Sequence, residues 1–241
     1  MNLIIDQGNT RSKTAVFSDD ELLYAQQFEG ELQESDIIEL QKKFPFQNSI
    51  LSSVASEGKQ IKEILKDCSS TFIELSPETP VPLENLYQTP ETLGLDRLAA
   101  AVGANSLYPN RNLLIIDSGT AITYDFVNDK NQYLGGNISP GMDMRFRALH
   151  QFTHRLPLVE YSQNENLLGN DTQSAILQGV VSGIIFEMEG YISELKKKFP
   201  NLLTFLTGGN AFCFEKRLKN STFVSENLLM TGLNKILIYN V

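Results

Sequence analysis

The chain has 241 residues and a mass of 27.0 kDa, enough for one large domain or two of about 110–120 residues each. Its 41% hydrophobic and 20% charged residues describe an ordinary soluble globular protein; no apolar run approaches the ~20 residues that span a bilayer, and no basic-then-apolar leader opens the chain. A formal charge of −9 without any basic block argues against sequence-independent nucleic-acid binding, while backbone donors or a metal ion could still hold an anionic ligand.

The first element is Leu3-Ile4-Ile5, a short buried strand that delivers Asp6 to its end. Gln7-Gly8-Asn9 is turn chemistry, because Gly and Asn tolerate positive φ, and Thr14 to Phe17 returns as a second strand. Such a tip can gather backbone N–H groups and a hydroxyl on an anion, with Asp6 placed for a divalent metal; a plain surface hairpin would read the same way.

A third strand follows over Glu21 to Gln27, then a helix carrying Ile37, Ile38, Leu40 and Phe44 that Pro45 ends. Ser49 to Val54 reads as a buried strand, Lys59 to Lys66 as an amphipathic helix with Ile61, Ile64 and Leu65 inward, and Thr71 to Leu75 as a strand. The order β-β-β-α-β-α-β is an α/β pattern. Pro77, Pro80, Pro82 and Pro90 mark an extended crossing loop. The next helix starts either at Thr89-Pro90-Glu91 or nearer Leu95, since Gly94 is a weak interior residue, and covers the alanine-rich Arg97 to Ser106.

Asn112 to Val127 then echoes Asn2 to Phe17: Ile-Ile-Asp-x-Gly occurs at Ile4 to Gly8 and again at Ile115 to Gly119, each followed by a Thr-containing tip and a returning strand. Internal self-similarity of this kind indicates two related halves, with a boundary near Asn110. Two such hairpins, each with a carboxylate and a Gly/Thr tip, suit a nucleotide-phosphate cleft between domains.

In the second half, Gln132-Tyr133-Leu134 leads to Gly135-Gly136-Asn137-Ile138-Ser139-Pro140-Gly141, whose glycines mark close backbone approach to a ligand or another strand. Met142 to Phe152 reads as helix. Asn170-Asp171-Thr172 caps the longest helix, about Thr172 to Phe199, with Ile176, Val180, Ile184, Met188, Tyr191 and Leu195 at helical spacing. Its Gly179 and Gly183 invite tight packing of another helix, within the chain or across a dimer; Glu187, Glu189 and Glu194 argue against a membrane pair. Leu202 to Leu206 is a strand opening into Thr207-Gly208-Gly209-Asn210-Ala211, a turn suited to backbone approach to a flat or anionic group or to a purely structural bend. Glu226 to Ile238 closes the chain as an amphipathic helix. Cys68 and Cys213 form no CxxC pair and read as reduced thiols of a cytosolic protein. His150 and His154 lie at i, i+4 without a third ligand, so zinc is not expected. Tyr124 and Phe126 read as packed strand residues.

The segments DQGNT and DSGTA with the TGG turn resemble the two phosphate motifs and the adenosine motif of the acetate kinase/sugar kinase/Hsp70/actin superfamily. That resemblance implies an α/β fold of two related actin-like (ribonuclease H-like) domains, here 1–110 and 111–241, with a nucleotide cleft between them. Within the superfamily the chain resembles type III pantothenate kinase along essentially its whole length. The resemblance rests on DQGNTRSK at Asp6 to Lys13, YQTPETLGLDR at Tyr87 to Arg97, DSGTAITYD at Asp117 to Asp125, GGNISPG at Gly135 to Gly141, MRFRALHQFTHRLP at Met144 to Pro157 and TGGNA at Thr207 to Ala211.

It implies ATP-dependent phosphorylation of pantothenate at its 4′-hydroxyl, the first step of coenzyme A biosynthesis, by a cytoplasmic homodimer whose substrate pocket lies near the interface. Asp6, Gln7, Gly8, Asn9, Thr10, Arg11, Ser12 and Lys13 are implied at the ATP phosphates, with Asp6 near Mg²⁺, Thr120 on ATP, and Gly208 and Gly209 at the nucleoside. Tyr87, Gly94, Leu95, Asp96, Arg97 and Thr172 are implied at pantothenate, with Asp96 accepting the hydroxyl proton. Asp117 is implied at a K⁺ or NH₄⁺ site. Arg97 could equally pair with a nearby acid at the helix start. Two rival readings share the hairpins: a sugar-type kinase, many of which carry a Cys-rich zinc loop that two scattered cysteines cannot supply, and a non-catalytic nucleotide-binding regulator, which would not need Asp96.

Overall fold

The computed structural model describes all residues except 9, 10, 31, 54–58, 164 and 165. Apolar runs broken by turn residues set the first strands. These are β1 (Asn2–Gln7), β2 (Arg11–Ser18) and β3 (Glu21–Glu29), followed by α1 (Glu34–Lys43), β4 (Asn48–Ser53), α2 (Lys59–Cys68) and β5 (Thr71–Glu74). The sheet order is β3-β2-β1-β4-β5, with β1–β2 and β2–β3 antiparallel and β1–β4 and β4–β5 parallel. Leu3, Ile4 and Ile5 of the central strand are fully buried on both faces, which is why this stretch reads as a continuous apolar run rather than an alternating one. One face packs with Ile37 and Leu40 of α1 and Ile61 and Leu65 of α2.

After the short β6 (Glu84–Asn85), Pro90–Thr92 forms a single 3₁₀ turn, and α3 (Leu95–Leu107) begins at the later of the two starts the sequence allowed, with Gly94 as its N-cap.

The second sheet repeats the first. It contains β7 (Leu113–Ser118), β8 (Ala121–Val127), β9 (Gln132–Pro140), β10 (Leu203–Thr207) and β11 (Phe223–Val224) in the order β11-β10-β7-β8-β9-β6, the short β6 pairing parallel with the start of β9. The connecting helices are α4 (Met142–Gln151), α5 (Thr172–Lys198) and α6 (Ala211–Glu215). Counting strands from the start of each half and setting the edge strand β6 aside, both sheets run 3-2-1-4-5, with an antiparallel opening hairpin and a parallel fourth strand. The echo in sequence is thus an echo in topology. Of the paired glycines of β9, Gly136 answers to a strand: a Cβ on it would stand 1.9 Å from the Tyr124 carbonyl oxygen.

Helix α5 opens on a capping box, in which the Ser174 N–H donates to Asp171 Oδ1 (3.0 Å) and the Asp171 N–H reaches Ser174 Oγ (3.2 Å). Its Ile176, Val180, Ile184 and Met188 join Leu114, Ile116, Ile122 and Tyr124 of the sheet in one core. By length and composition α5 is long and apolar enough to cross a membrane, as a core helix can be; 56% of its apolar 18-residue window is buried. Among the described residues, no helix of the chain packs closely on Gly179 or Gly183: nothing lies within 4 Å of a Cβ at either.

That packing occurs elsewhere. The final helix, α7 (Leu228–Tyr239), lies on α3, β1 and β4. A Cβ on Gly232 would come within 1.8 Å of the Ala99 carbonyl oxygen, and one on Gly103 within 2.3 Å of that of Leu228, so α3 and α7 touch backbone to backbone. A chain of amides fixes the register, with Asn234 Nδ2 donating to the Asp19 carbonyl (2.7 Å), Asn2 Nδ2 to Asn234 Oδ1 (2.9 Å), and Asn48 Nδ2 to Asn2 Oδ1 (3.1 Å). One compact unit is therefore Met1–Pro109, Asn131–Tyr133 and Asn227–Val241, and the other Asn110–Lys130 and Leu134–Glu226. Neither is a single stretch of chain, as a division at residue 110 alone would make them.

Candidate active site

In the first unit the β1–β2 register sets Asp6 opposite Lys13 and Gln7 opposite Ser12, and the Gly8 N–H closes the turn on the Arg11 carbonyl at 3.0 Å. Because β1 and β4 are parallel, Asp6 also lies level with Ser52, at the carboxyl ends where open α/β sheets place their ligands. Burial pushes the Asp6 carboxyl up to about 6; the Ser52 hydrogen bond opposes this, the Asp96 charge adds to it, and Lys13 opposes it. Asp6, Ser52, Lys13 and Asp96 thus form one electrostatic group.

Asp96 sits in the first turn of α3, exposed, with Oδ1 accepting from the Arg97 N–H at 2.8 Å. Gly94 makes room for it, since a Cβ there would lie 2.5 Å from that same oxygen. Arg97 is buried, its guanidinium carbon 5.9 Å from the Tyr87 ring centroid. The Tyr87 ring lies 6.2 Å from that of Tyr133.

The second unit builds a matching lip from β7, β8 and the turn after β10. Asp117 pairs with Thr123, and the tip is one residue shorter than that of the first hairpin, with Gly119 N–H donating to the Ala121 carbonyl at 3.1 Å. Gly208 has φ +91°, and a Cβ on it would lie 2.4 Å from Asp117 Oδ1; the Asn210 N–H donates to the Ser118 carbonyl at 3.0 Å. Glycine is thus required at Gly208 both by conformation and by the approach to Asp117. Gly141 lies equally close to the tip, with its N–H donating to the Thr120 carbonyl (3.1 Å) and a Cβ position only 2.1 Å from that oxygen.

The family model for type III pantothenate kinase matches residues 2–194. The chain belongs to the type III pantothenate kinase family. It is 47% identical over 241 residues to a type III pantothenate kinase of Phocaeicola vulgatus, covering 100% of this chain and 99% of the relative. It is 45% identical over 241 residues to one from Bacteroides fragilis, covering 100% and 98%. Among solved structures, a Campylobacter jejuni protein described as a Baf family transcriptional activator matches with TM-score 0.64 and 22% identity, covering 99% of this chain and 98% of that one. The inorganic polyphosphate/ATP-glucomannokinase of an Arthrobacter species matches with TM-score 0.50 and 15% identity, covering 100% of both. At these identities the structural matches establish the fold, which is that of the actin-like sugar kinases.

Several residues expected at the ligands of a type III pantothenate kinase are buried or engaged with other residues. Gln7 as a whole residue is 1% exposed. Ser12 is buried, and its hydroxyl donates to the Gly30 carbonyl at 2.6 Å. Arg11 pairs with Glu29 at 3.3 Å. Thr120 and Gly209 are exposed, Leu95 is half-buried, and Thr172 is the exposed first residue of α5. Asn9 and Thr10 lie outside the described residues, as does Val54. His154 falls beyond the end of α4, and His150 Nδ1 is 2.8 Å from the Leu156 carbonyl oxygen. Among the described residues no group of three or more His, Cys, Asp or Glu gathers as metal ligands. Ser52 escaped the sequence reading. Its signal was the serine pair ending an apolar strand, which acquires meaning only once β4 is known to lie parallel to β1.

Proposed function

We propose that this chain transfers the γ-phosphoryl group of ATP to the 4′-hydroxyl of pantothenate, the first step of coenzyme A biosynthesis, as a cytoplasmic homodimer. Family membership supports the reaction, and the observation that carries the assignment of roles is the Asp6–Asp96 pair at the carboxyl end of the first sheet.

Phosphoryl transfer passes through a loose transition state, so the protein contributes mainly position and charge balance. Asp96, exposed at a helix start and held by the Arg97 N–H, orients the 4′-hydroxyl and accepts its proton late in the transfer. Tyr87, Gly94, Leu95, Arg97 and Thr172 shape the pantothenate side, Arg97 by supporting Tyr87 from beneath. Asp6, Gly8 and Lys13 face the phosphates with Thr120, and Gly208 and Gly209 take the nucleoside. The Asp6 carboxylate and Ser52 hydroxyl are hard oxygen donors of the kind Mg²⁺ accepts beside phosphate oxygens, and the like charge of Asp96 gives that position a demand for a cation. Mg²⁺ held there supplies charge neutralisation across the phosphates. Asp117, beside the Gly208 turn, is the matching oxygen donor for K⁺ or NH₄⁺.

A coupled assay of ADP release with ATP, Mg²⁺, K⁺ and pantothenate tests the reaction. Asp96→Asn retains nucleotide binding and loses about 10²–10⁴-fold in kcat. A wild type without pantothenate-dependent ADP release, in K⁺ or without it, overturns the kinase reading, and equal activity in Na⁺ overturns the monovalent-cation site.

A further inference from the structure

Arg145, within the MRFRALH stretch of α4, joins its own helix to β9 and α5 in the second unit. Its Nη2 donates to Glu187 Oε2 (2.7 Å) and to Ser139 Oγ (2.9 Å), and its Nε to the Pro140 carbonyl (2.8 Å). Its own backbone N–H donates to the Gly141 carbonyl at 3.0 Å. Glu187 is held from the other side by the Tyr124 hydroxyl, which donates to Oε1 at 2.8 Å, and the Tyr124 ring lies 4.1 Å from that of Tyr191. The pair is largely covered, with side-chain exposures of 20% and 25%. Burial opposes ionisation of Glu187, but hydrogen bonds from Arg145, Ser139 and Tyr124, with the Arg145 charge, hold its carboxyl below the usual range.

The three residues that Arg145 holds, Ser139, Pro140 and Gly141, end on the hairpin tip, where Gly141 rests against the Thr120 carbonyl. A covered ion pair of this kind adds little net stability over apolar residues of the same volume. What a guanidinium supplies is direction, from a rigid fork of donors. We propose that Arg145, clamped by Glu187, is a positioning residue that fixes the Gly119–Thr120 tip for the nucleotide through Ser139, Pro140 and Gly141. This rests on the reading of Thr120 as an ATP contact.

The test is Arg145→Met, which keeps the stem and removes the fork, studied by steady-state kinetics and by titration with a fluorescent ATP analogue and Mg²⁺ without pantothenate. The KM for ATP rises at least tenfold, the KM for pantothenate stays within twofold, and the analogue binds at least tenfold more weakly. Arg145→Lys, which restores charge without the fork, recovers only part of the loss. Unchanged ATP KM and analogue affinity, or both KM values rising together, overturn the positioning role. Should Arg145→Met fail to fold, Tyr124→Phe removes one hydroxyl from the clamp and raises the ATP KM severalfold; an unchanged value overturns the proposal. A wild type that binds the analogue without phosphorylating pantothenate sinks the proposed reaction alone, while one that does not bind it sinks both.

Discussion

Asp6 carries a charge that the folded protein accommodates at a cost, and the cost is measurable. Its carboxyl stands at about 6 against an ordinary 3.8, chiefly because it is buried and secondarily because Asp96 faces it. Between these values the native chain binds more protons than the unfolded chain, so stability falls as pH rises from about 4 to 6 and stays lower above that. At about 1.36 kcal/mol per pH unit the full deficit is roughly 3 kcal/mol. Asp6→Asn keeps the shape and an acceptor for Ser52 while removing the charge. Above pH 7 it should stabilise the protein by about 2–3 kcal/mol, and this advantage should shrink to near zero at pH 4.

Urea unfolding of wild type and Asp6→Asn at intervals from pH 4 to 8 measures the difference directly, provided the transition that includes the first unit is followed. Mg²⁺ with ATP should narrow the gap, since a cation on the Asp6 side relieves the charge only in the wild type. Parallel stability curves for the two proteins across this range would refute the account of Asp6 as a buried, cation-seeking carboxylate.

Three glycine substitutions test the close approaches. Gly232→Ala drives a methyl into the Ala99 carbonyl, where a Cβ has only 1.8 Å; separating α3 from α7 should cost about 3 kcal/mol or more in urea unfolding, and an unchanged midpoint would contradict the backbone contact. Gly208→Ala combines a φ of +91° with a Cβ 2.4 Å from Asp117 Oδ1. It should raise the KM for ATP and the K⁺ concentration for half-maximal activity together, whereas a change in only one would separate Asp117 from the nucleoside turn. Gly94→Ala displaces the Asp96 carboxylate, for which 2.5 Å is left. Its kcat should fall about 10²-fold with ATP-analogue binding intact, and full turnover would show that Asp96 need not occupy the position it has here.

How much of this was readable before folding depended on whether the signal was local. The repeated Ile-Ile-Asp-x-Gly carried its own context of strand, turn and strand, and both hairpins form where the pattern lies. The α3 start was legible as a choice between two, settled by Gly94, which is tied to Asp96 and not only to helix propensity. Glycine spacing without a partner was not legible. Gly179 and Gly183 have the regular spacing of a helix contact and face open space, while Gly103 and Gly232, far apart in sequence, make the close crossing. A single glycine in each of two distant helices leaves no periodicity to detect. The amides that anchor α7 are similarly silent, because Asn2, Asn48 and Asn234 become one hydrogen-bonded chain only after three separate elements are assembled.

The same distinction separates residues that can meet a ligand from those that hold them. Asp6, Asp96 and Asp117 stand at element ends, where short sequence motifs are informative. Ser52 comes level with Asp6 only through the parallel register of β4 on β1, and Arg145 and Glu187 meet across 42 positions, so nothing in their own neighbours announces the pairing. The repeat brings this out. Both halves present a carboxylate at the end of the first strand, but the first half leaves Asp6 facing Asp96, whereas the second sets Asp117 against the Gly208 backbone. One position is therefore charged against a like charge, and the other is packed against a peptide turn. The two halves share one frame, and the helix start at Asp96 on one side and the glycine turn on the other make its two carboxylates chemically different.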